Sequence, residues 1–175
     1  MLSSKIRMNV WRKKFASFPR KHVDFYMKYA FLVSRALRKP RFQRFLHWLL
    51  KKEDICEDMV RDIQIRVFPH EKENGNSLAG RWNSEGEIHI YPKGLKFYRK
   101  LVAQSGKETA RHYIKSRARA ALIHEILHTK YSNDEEKVRK LTKRYFNIFV
   151  RKVKTQNWND HINEMLFRQY NSRSS

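Results

Sequence analysis

The sequence predicts an α+β fold: a small three-stranded sheet packed by a helix carrying His124 to His128 and by a following acid-starting helix, with extra N-terminal helices. Three observations carry that prediction. Apolar residues recur at steps of three and four before residue 52 and again after residue 105, which is the helical period. Between them, short runs alternate polar and apolar with a period of two, as half-buried strands do. Glycine, proline and polar clusters separate these runs.

The first helix is expected from His22 to Leu37, with Val23, Tyr26, Met27, Ala30, Phe31 and Val33 on one face. Pro40 ends it or begins the next, since proline fits the first turn of a helix and no later position. The second helix runs from Phe42 to Leu50 and places Phe42, Phe45, Leu46 and Leu49 together. Asp62–Val67 and Glu87–Tyr91 alternate as strands, and Ser77–Asn83 is a third, joined to the last by a tight turn at Ser84-Glu85-Gly86. A meander is expected. Ser105-Gly106-Lys107-Glu108 has the form of a capping box and opens a helix that runs to about His128. Ser132 or Asn133 caps the next, whose first turn holds Asp134, Glu135 and Glu136. A final amphipathic piece spans Ile162 to Tyr170.

At 175 residues and 21.3 kDa the chain accommodates one compact domain with an appendage. The division is expected at residue 52: a basic helical extension over 1–52, and the main domain over 53–175. Hydrophobic residues at 41% exclude a wholly disordered chain. The single cysteine, Cys56, excludes an intramolecular disulfide and any multi-cysteine zinc site, and reads as an inert thiol. That cysteine usage suits a reducing interior at least as well as an oxidising one, and a cytoplasmic setting is the expectation. No apolar run approaches the ~20 residues of a membrane span.

The net charge is +22, and residues 1–52 alone hold fifteen basic residues against one acid, Asp24. Such a block attracts phosphate-rich partners, either nucleic acid or an anionic surface, through long-range electrostatics. A merely solvated basic surface has the same composition, so the charge by itself selects no partner.

The chemistry-bearing motif is His124-Glu125-Ile126-Leu127-His128, an H-E-x-x-H pattern in an apolar frame. Residues four apart on a helix lie one above the other, so both imidazoles reach one metal ion. Glu125, about 100° around the helix, comes within reach of a water beside it. Zinc takes three protein ligands in sites that keep a position open. With Val138 as the inward direction, Asp134 lies about 40° to one side, Glu135 about 60° to the other, and Glu136 about 160° away. Asp134 and Glu135 are the third-ligand candidates, and Glu164 is a remoter one. Glu135 also suits its position merely as a complement to the helix dipole. His89 is expected to be an ordinary strand histidine.

From Ala121 through His124-Glu125-Ile126-Leu127-His128 to Val138, the chain resembles the zincin metallopeptidases. Within them it is most similar to the gluzincins, and specifically to the small minigluzincins. The resemblance covers roughly residues 53–152. It implies a three-stranded sheet, an active-site helix bearing H-E-x-x-H, and a following helix whose glutamate completes a Zn2+ site. Glu135, three residues before Val138, matches that glutamate. The implied activity is metalloendopeptidase hydrolysis of a peptide or protein substrate, with Glu125 as the catalytic base. Glu87–Tyr91 resembles the edge strand that would align the substrate, and latency through a terminal segment across the cleft is a further implication.

Overall fold

The computed structural model describes residues 7–11, 19–70, 78–152 and 164–168. It is an α+β arrangement in which helices cover a four-stranded mixed sheet.

Helix α1 (Arg20–Leu37) buries Tyr26, Tyr29, Ala30, Val33, Ala36 and Leu37 along one stripe. Helix α2 (Pro40–Lys52) starts on Pro40, whose fixed φ suits the first helical turn. Its buried Phe42, Phe45, Leu46, Leu49 and Leu50 join the same core. That core is continuous across residue 52: the apolar faces of α1 and α2 pack in one cluster with the sheet and the later helices.

The sheet has the order β1 (Arg7–Trp11), β2 (Asp62–Arg66), β4 (Glu87–Ile90), β3 (Gly80–Trp82). The expected three strands are present, but a fourth comes from the basic N-terminal segment. Met8 and Val10 of β1 lie opposite Ile63 and Ile65, in a parallel pair. Arg66 stacks on the Trp11 ring at 3.6 Å, and Arg38 of α1 donates to the Met8 carbonyl. Nor is the sheet a meander. Strands β2 and β4 run parallel, with Ile63 beside Ile88 and Ile65 beside Ile90, while β3 is antiparallel to β4 on its far side. Strand β4 is therefore interior, and β3, not Glu87–Tyr91, is the edge. Alternation tells which face a residue takes but not which strand lies beside it. The β3–β4 turn is held by Asn83 Oδ1, which accepts from the amides of Glu85 (3.1 Å) and Glu87 (3.0 Å). Gly86 closes it at φ +79°, a value L side chains rarely adopt.

Helix α3 (Leu95–Tyr131) is interrupted at Gly106, whose φ/ψ of 80°/165° is not helical. The break falls where a helix start was expected, but Glu108 takes Arg111 Nη1 at 2.8 Å rather than completing a capping box with Ser105. Beyond the break, Ala110, Ile114, Ala118, Ala121 and Leu122 are all buried. Arg117 is buried too, and its guanidinium donates to the carbonyls of Tyr91 and Leu78 (3.0 Å for the latter), tying α3 to the flanks of β3 and β4. Helix α4 (Glu135–Lys152) then packs beside α3. Asp134, not Ser132 or Asn133, is its cap, accepting from the Lys137 amide at 3.1 Å. Of the expected tail piece, 164–168 is helical and buries Leu166 and Phe167, and the remainder lies outside the described residues. Among the described residues no helix is long and apolar enough to cross a membrane.

One buried acid fastens the end of α2 to the two later helices. Glu53 accepts from Tyr131 Oη at 2.6 Å and from Tyr145 Oη, and its backbone carbonyl accepts from Lys130. The carboxylate's hydrogen bond pushes the Tyr131 hydroxyl up to about 12, and burial together with Glu53 raises Tyr145. Glu53→Ala leaves both phenols without their acceptor, so urea unfolding is expected to show a loss of about 2–4 kcal/mol. Phe substitution at both tyrosines removes the donors as well and should restore part of that loss.

Candidate metal centre

The motif lies in the last turns of α3, under β3 and against α4. Burial there is tight: His124 is 6% and Glu125 8% exposed. Burying two imidazoles and a carboxylate requires partners for each, and the local structure supplies them.

His124 Nδ1 lies 3.2 Å from Thr142 Oγ1, and the Thr142 hydroxyl itself donates to the Val138 carbonyl at 2.7 Å. With its proton committed to that carbonyl, the hydroxyl can only accept, so Nδ1 of His124 carries the ring proton. His128 Nδ1 lies 2.7 Å from the Ser132 carbonyl, which also only accepts, so its proton is on Nδ1 too. Ser132 reaches this position at φ +46°, a left-handed conformation uncommon outside glycine, and turns its carbonyl back toward the helix end. In the neutral rings both Nε2 atoms therefore carry no proton, and they stand 3.1 Å apart.

Glu135 completes the group. Its Oε2 is 3.1 Å from His128 Nε2 and its Oε1 is 3.7 Å from His124 Nε2. Arg139, one turn along α4, donates its Nε to Oε1 at 2.9 Å and orients the carboxylate. The hydrogen bond to His128, ahead of the other nearby cations, pulls the Glu135 carboxyl down to about 2, and the same contact raises His128. Ligand atoms of His124, His128 and Glu135 all lie within 4.8 Å of one another. Three electron-pair donors converging in this way repel unless a cation or a proton sits among them. Two imidazoles and a carboxylate, each oriented by a second hydrogen bond, are the donor set that zinc accepts.

The other candidates lie elsewhere. Asp134 is occupied as the α4 cap, Glu136 pairs with Lys140 at 2.6 Å, and Glu164 pairs with Arg168 on the exposed side of 164–168. His89 sits on β4 beside Glu87 and Tyr91, outside the group.

Glu125 faces the same cleft from the neighbouring position on α3. Its Oε2 accepts from the backbone amide of Trp82 on β3 at 2.9 Å. The strand can come this close because residue 80 is glycine: a Cβ there would stand 2.7 Å from Glu125 Cγ and 2.9 Å from Oε1. The cleft of about 400 Å³ is lined by Leu78, by Gly80–Trp82 of β3, by His124, Glu125 and His128, and by Ser132, Asn133 and Glu135. No residue of α1, α2 or 164–168 lines it.

Thr142, Gly80, the Trp82 amide, the Ser132 carbonyl and Arg139 escaped the sequence reading. Thr142 had a signal, being a hydroxyl one turn beyond Val138 on an otherwise apolar stripe. A glycine within a strand also marks a close approach. The two backbone groups had no signal.

Gly80→Ala is expected to displace Glu125 while leaving the histidines in place. Metal content should stay at wild-type level and any hydrolytic turnover should fall by about 10²-fold, the cost of a small misplacement of a reacting group. Comparison with protein families, curated proteins and solved structures finds no match to this chain.

Proposed function

We propose that the chain is a zinc-dependent metallopeptidase of gluzincin type, similar to the minigluzincins, with His124, His128 and Glu135 as the metal ligands. The observation that carries this reading is the convergence of both Nε2 atoms and the Glu135 carboxylate on one point, with the Glu125 carboxylate beside them in the same cleft. A structural zinc site would need no second, separately anchored carboxylate.

Bound zinc would supply Lewis acidity, polarising the scissile carbonyl and bringing the pKa of water down toward ~7. Thr142 and the Ser132 carbonyl keep each imidazole in the tautomer that offers Nε2. The Trp82 amide holds one oxygen of Glu125, and its carboxylate accepts the proton of the attacking water and returns it to the leaving amine. The C–N bond is thereby cleaved with one water consumed.

Strand β3 supports the same reading. Asn83 and Ala79 hydrogen-bond to Glu87 and Tyr91 of the β4 side, so by antiparallel alternation the backbone groups of Gly80 and Trp82 face away from the sheet, toward the cleft. An extended peptide pairing there would pass the zinc site, which is recognition by strand addition. The test is incubation of the zinc-loaded full chain with unfolded casein, beside the chelated protein and Glu125→Gln. Fragments from the zinc-loaded wild type alone support the proposal, whereas equal cleavage, or none, in all three rejects it.

A further inference from the structure

The basic N-terminal region forms a surface of its own, away from the metal centre. Helix α1 and α3 between Tyr98 and Lys115 enclose a cleft of about 580 Å³ whose cations are Lys28, Arg35, Arg111 and Lys115. A second cleft, of about 680 Å³, continues past Phe31 and Arg35 to Arg38 and Lys39. Phe31 and Arg35 line both, so the two clefts meet at these side chains and together run along α1. From Lys28 to the helix end at Leu37 this path is about 14 Å long at ~1.5 Å per helical residue. Among the described lining residues Glu108 is the only acid, and Arg111 already neutralises it at 2.8 Å. The positive charge is crowded: beyond its own partial burial, Lys115 is held below the usual lysine range by Lys39 and Arg119. Phe31, 50% exposed, sits in the middle of these cations.

We propose that this pair of clefts binds single-stranded nucleic acid, with the phosphates along the Lys28–Arg35–Lys39 and Arg111–Lys115 rows and a base against Phe31. At the ~3.4 Å rise per nucleotide of a stacked strand, that length matches roughly four phosphates. A cation-lined groove with an aromatic platform is the arrangement that holds single strands without reading their sequence. A membrane surface fits less well, because an interfacial helix presents a broad apolar stripe. Among the described residues Phe31 and Met59 are the only large hydrophobic side chains more than a third exposed, and Met59 lines neither cleft. The proposal is independent of the peptidase reading.

Fluorescence anisotropy of the full chain with labelled oligodeoxythymidylate is the test. About four displaced counterions would weaken binding roughly 50-fold between about 50 and 200 mM salt. The triple variant Lys28→Glu/Arg35→Glu/Lys115→Glu should lose at least ~10-fold in affinity and flatten that salt dependence. A matched reversal on α4, Lys143→Glu/Arg144→Glu/Arg151→Glu, should lose much less. Phe31→Ala should lose about fivefold or more with the salt dependence unchanged. If the glutamate triple fails to fold by circular dichroism, the same positions changed to glutamine serve instead. Equal losses from both triples, tighter binding to a duplex of the same length, or preferential binding to phosphatidylserine vesicles would each overturn the proposal.

Discussion

Glu125→Gln is expected to keep the fold and the bound zinc while lowering peptide hydrolysis by about 10²–10⁴-fold, the contribution typical of a positioned general base. Glutamine is nearly isosteric, and its amide oxygen can still accept from the Trp82 amide, so the contact between α3 and β3 survives. What it loses is the capacity to take a proton from water. Turnover on an unfolded substrate, metal content by elemental analysis and the circular dichroism spectrum should be measured on one preparation. Loss of metal or fold in this variant would mean that Glu125 has a structural task, and the catalytic role would be withdrawn. Gly80→Ala approaches the same group from the other side, through displacement instead of chemistry.

The second large effect is on the metal. His124→Ala, His128→Ala and Glu135→Ala should each abolish stoichiometric zinc retention, while Glu136→Ala leaves it unchanged. Asp134→Ala should cost about 1 kcal/mol of stability as a lost cap without releasing metal. Thr142→Val removes the acceptor that fixes the His124 tautomer, and should weaken zinc by about 10–100-fold, as lost outer partners of metal ligands do. Equal effects at Glu135 and Glu136 would sink the ligand assignment.

The metal-free protein carries its own signature at this site. His128 is raised above 6.5 by Glu135, so its contribution to stability is fully present below 6.5 and lost as pH rises through the higher folded value. Glu135 is lowered from 4.5 to about 2, so its contribution is present above 4.5 and lost as pH falls toward 2. The pair's own contribution in the chelated protein should therefore be largest between about 4.5 and 6.5, read as the difference between the melting profiles of the wild type and Glu135→Ala. Zinc should reverse the upper limb, because ligation needs His128 deprotonated.

Much of the site was readable in one dimension because helices have a fixed period. His124 and His128 share a face whatever packs against them, and Glu135 lies within reach once Val138 sets the inward direction of α4. The strands Asp62–Arg66 and Glu87–Ile90 were readable for the corresponding reason, a period of two. Arg7-Met8-Asn9-Val10-Trp11 carries the same alternation, but in a basic segment read as helical it went unrecognised as a strand.

What the sequence by itself determined is thus the set of local periodicities: the α+β class, the helix faces, the two-histidine motif and the uneven charge. The tertiary structure alone decided the neighbours. It placed β1 beside β2, moved β4 to the interior and left β3 as the edge over Glu125. It also committed Asp134 to a cap and Glu135 to the histidines, though both stood near the inward face of α4. The reason is physical. Periodicity follows from backbone geometry within one segment, whereas strand order and the placing of Glu125 and His124 depend on contacts between segments, as for Trp82 with Glu125, 43 apart, and His124 with Thr142, 18 apart. The choice of Glu135 over Asp134 depends on how the turn between α3 and α4 folds.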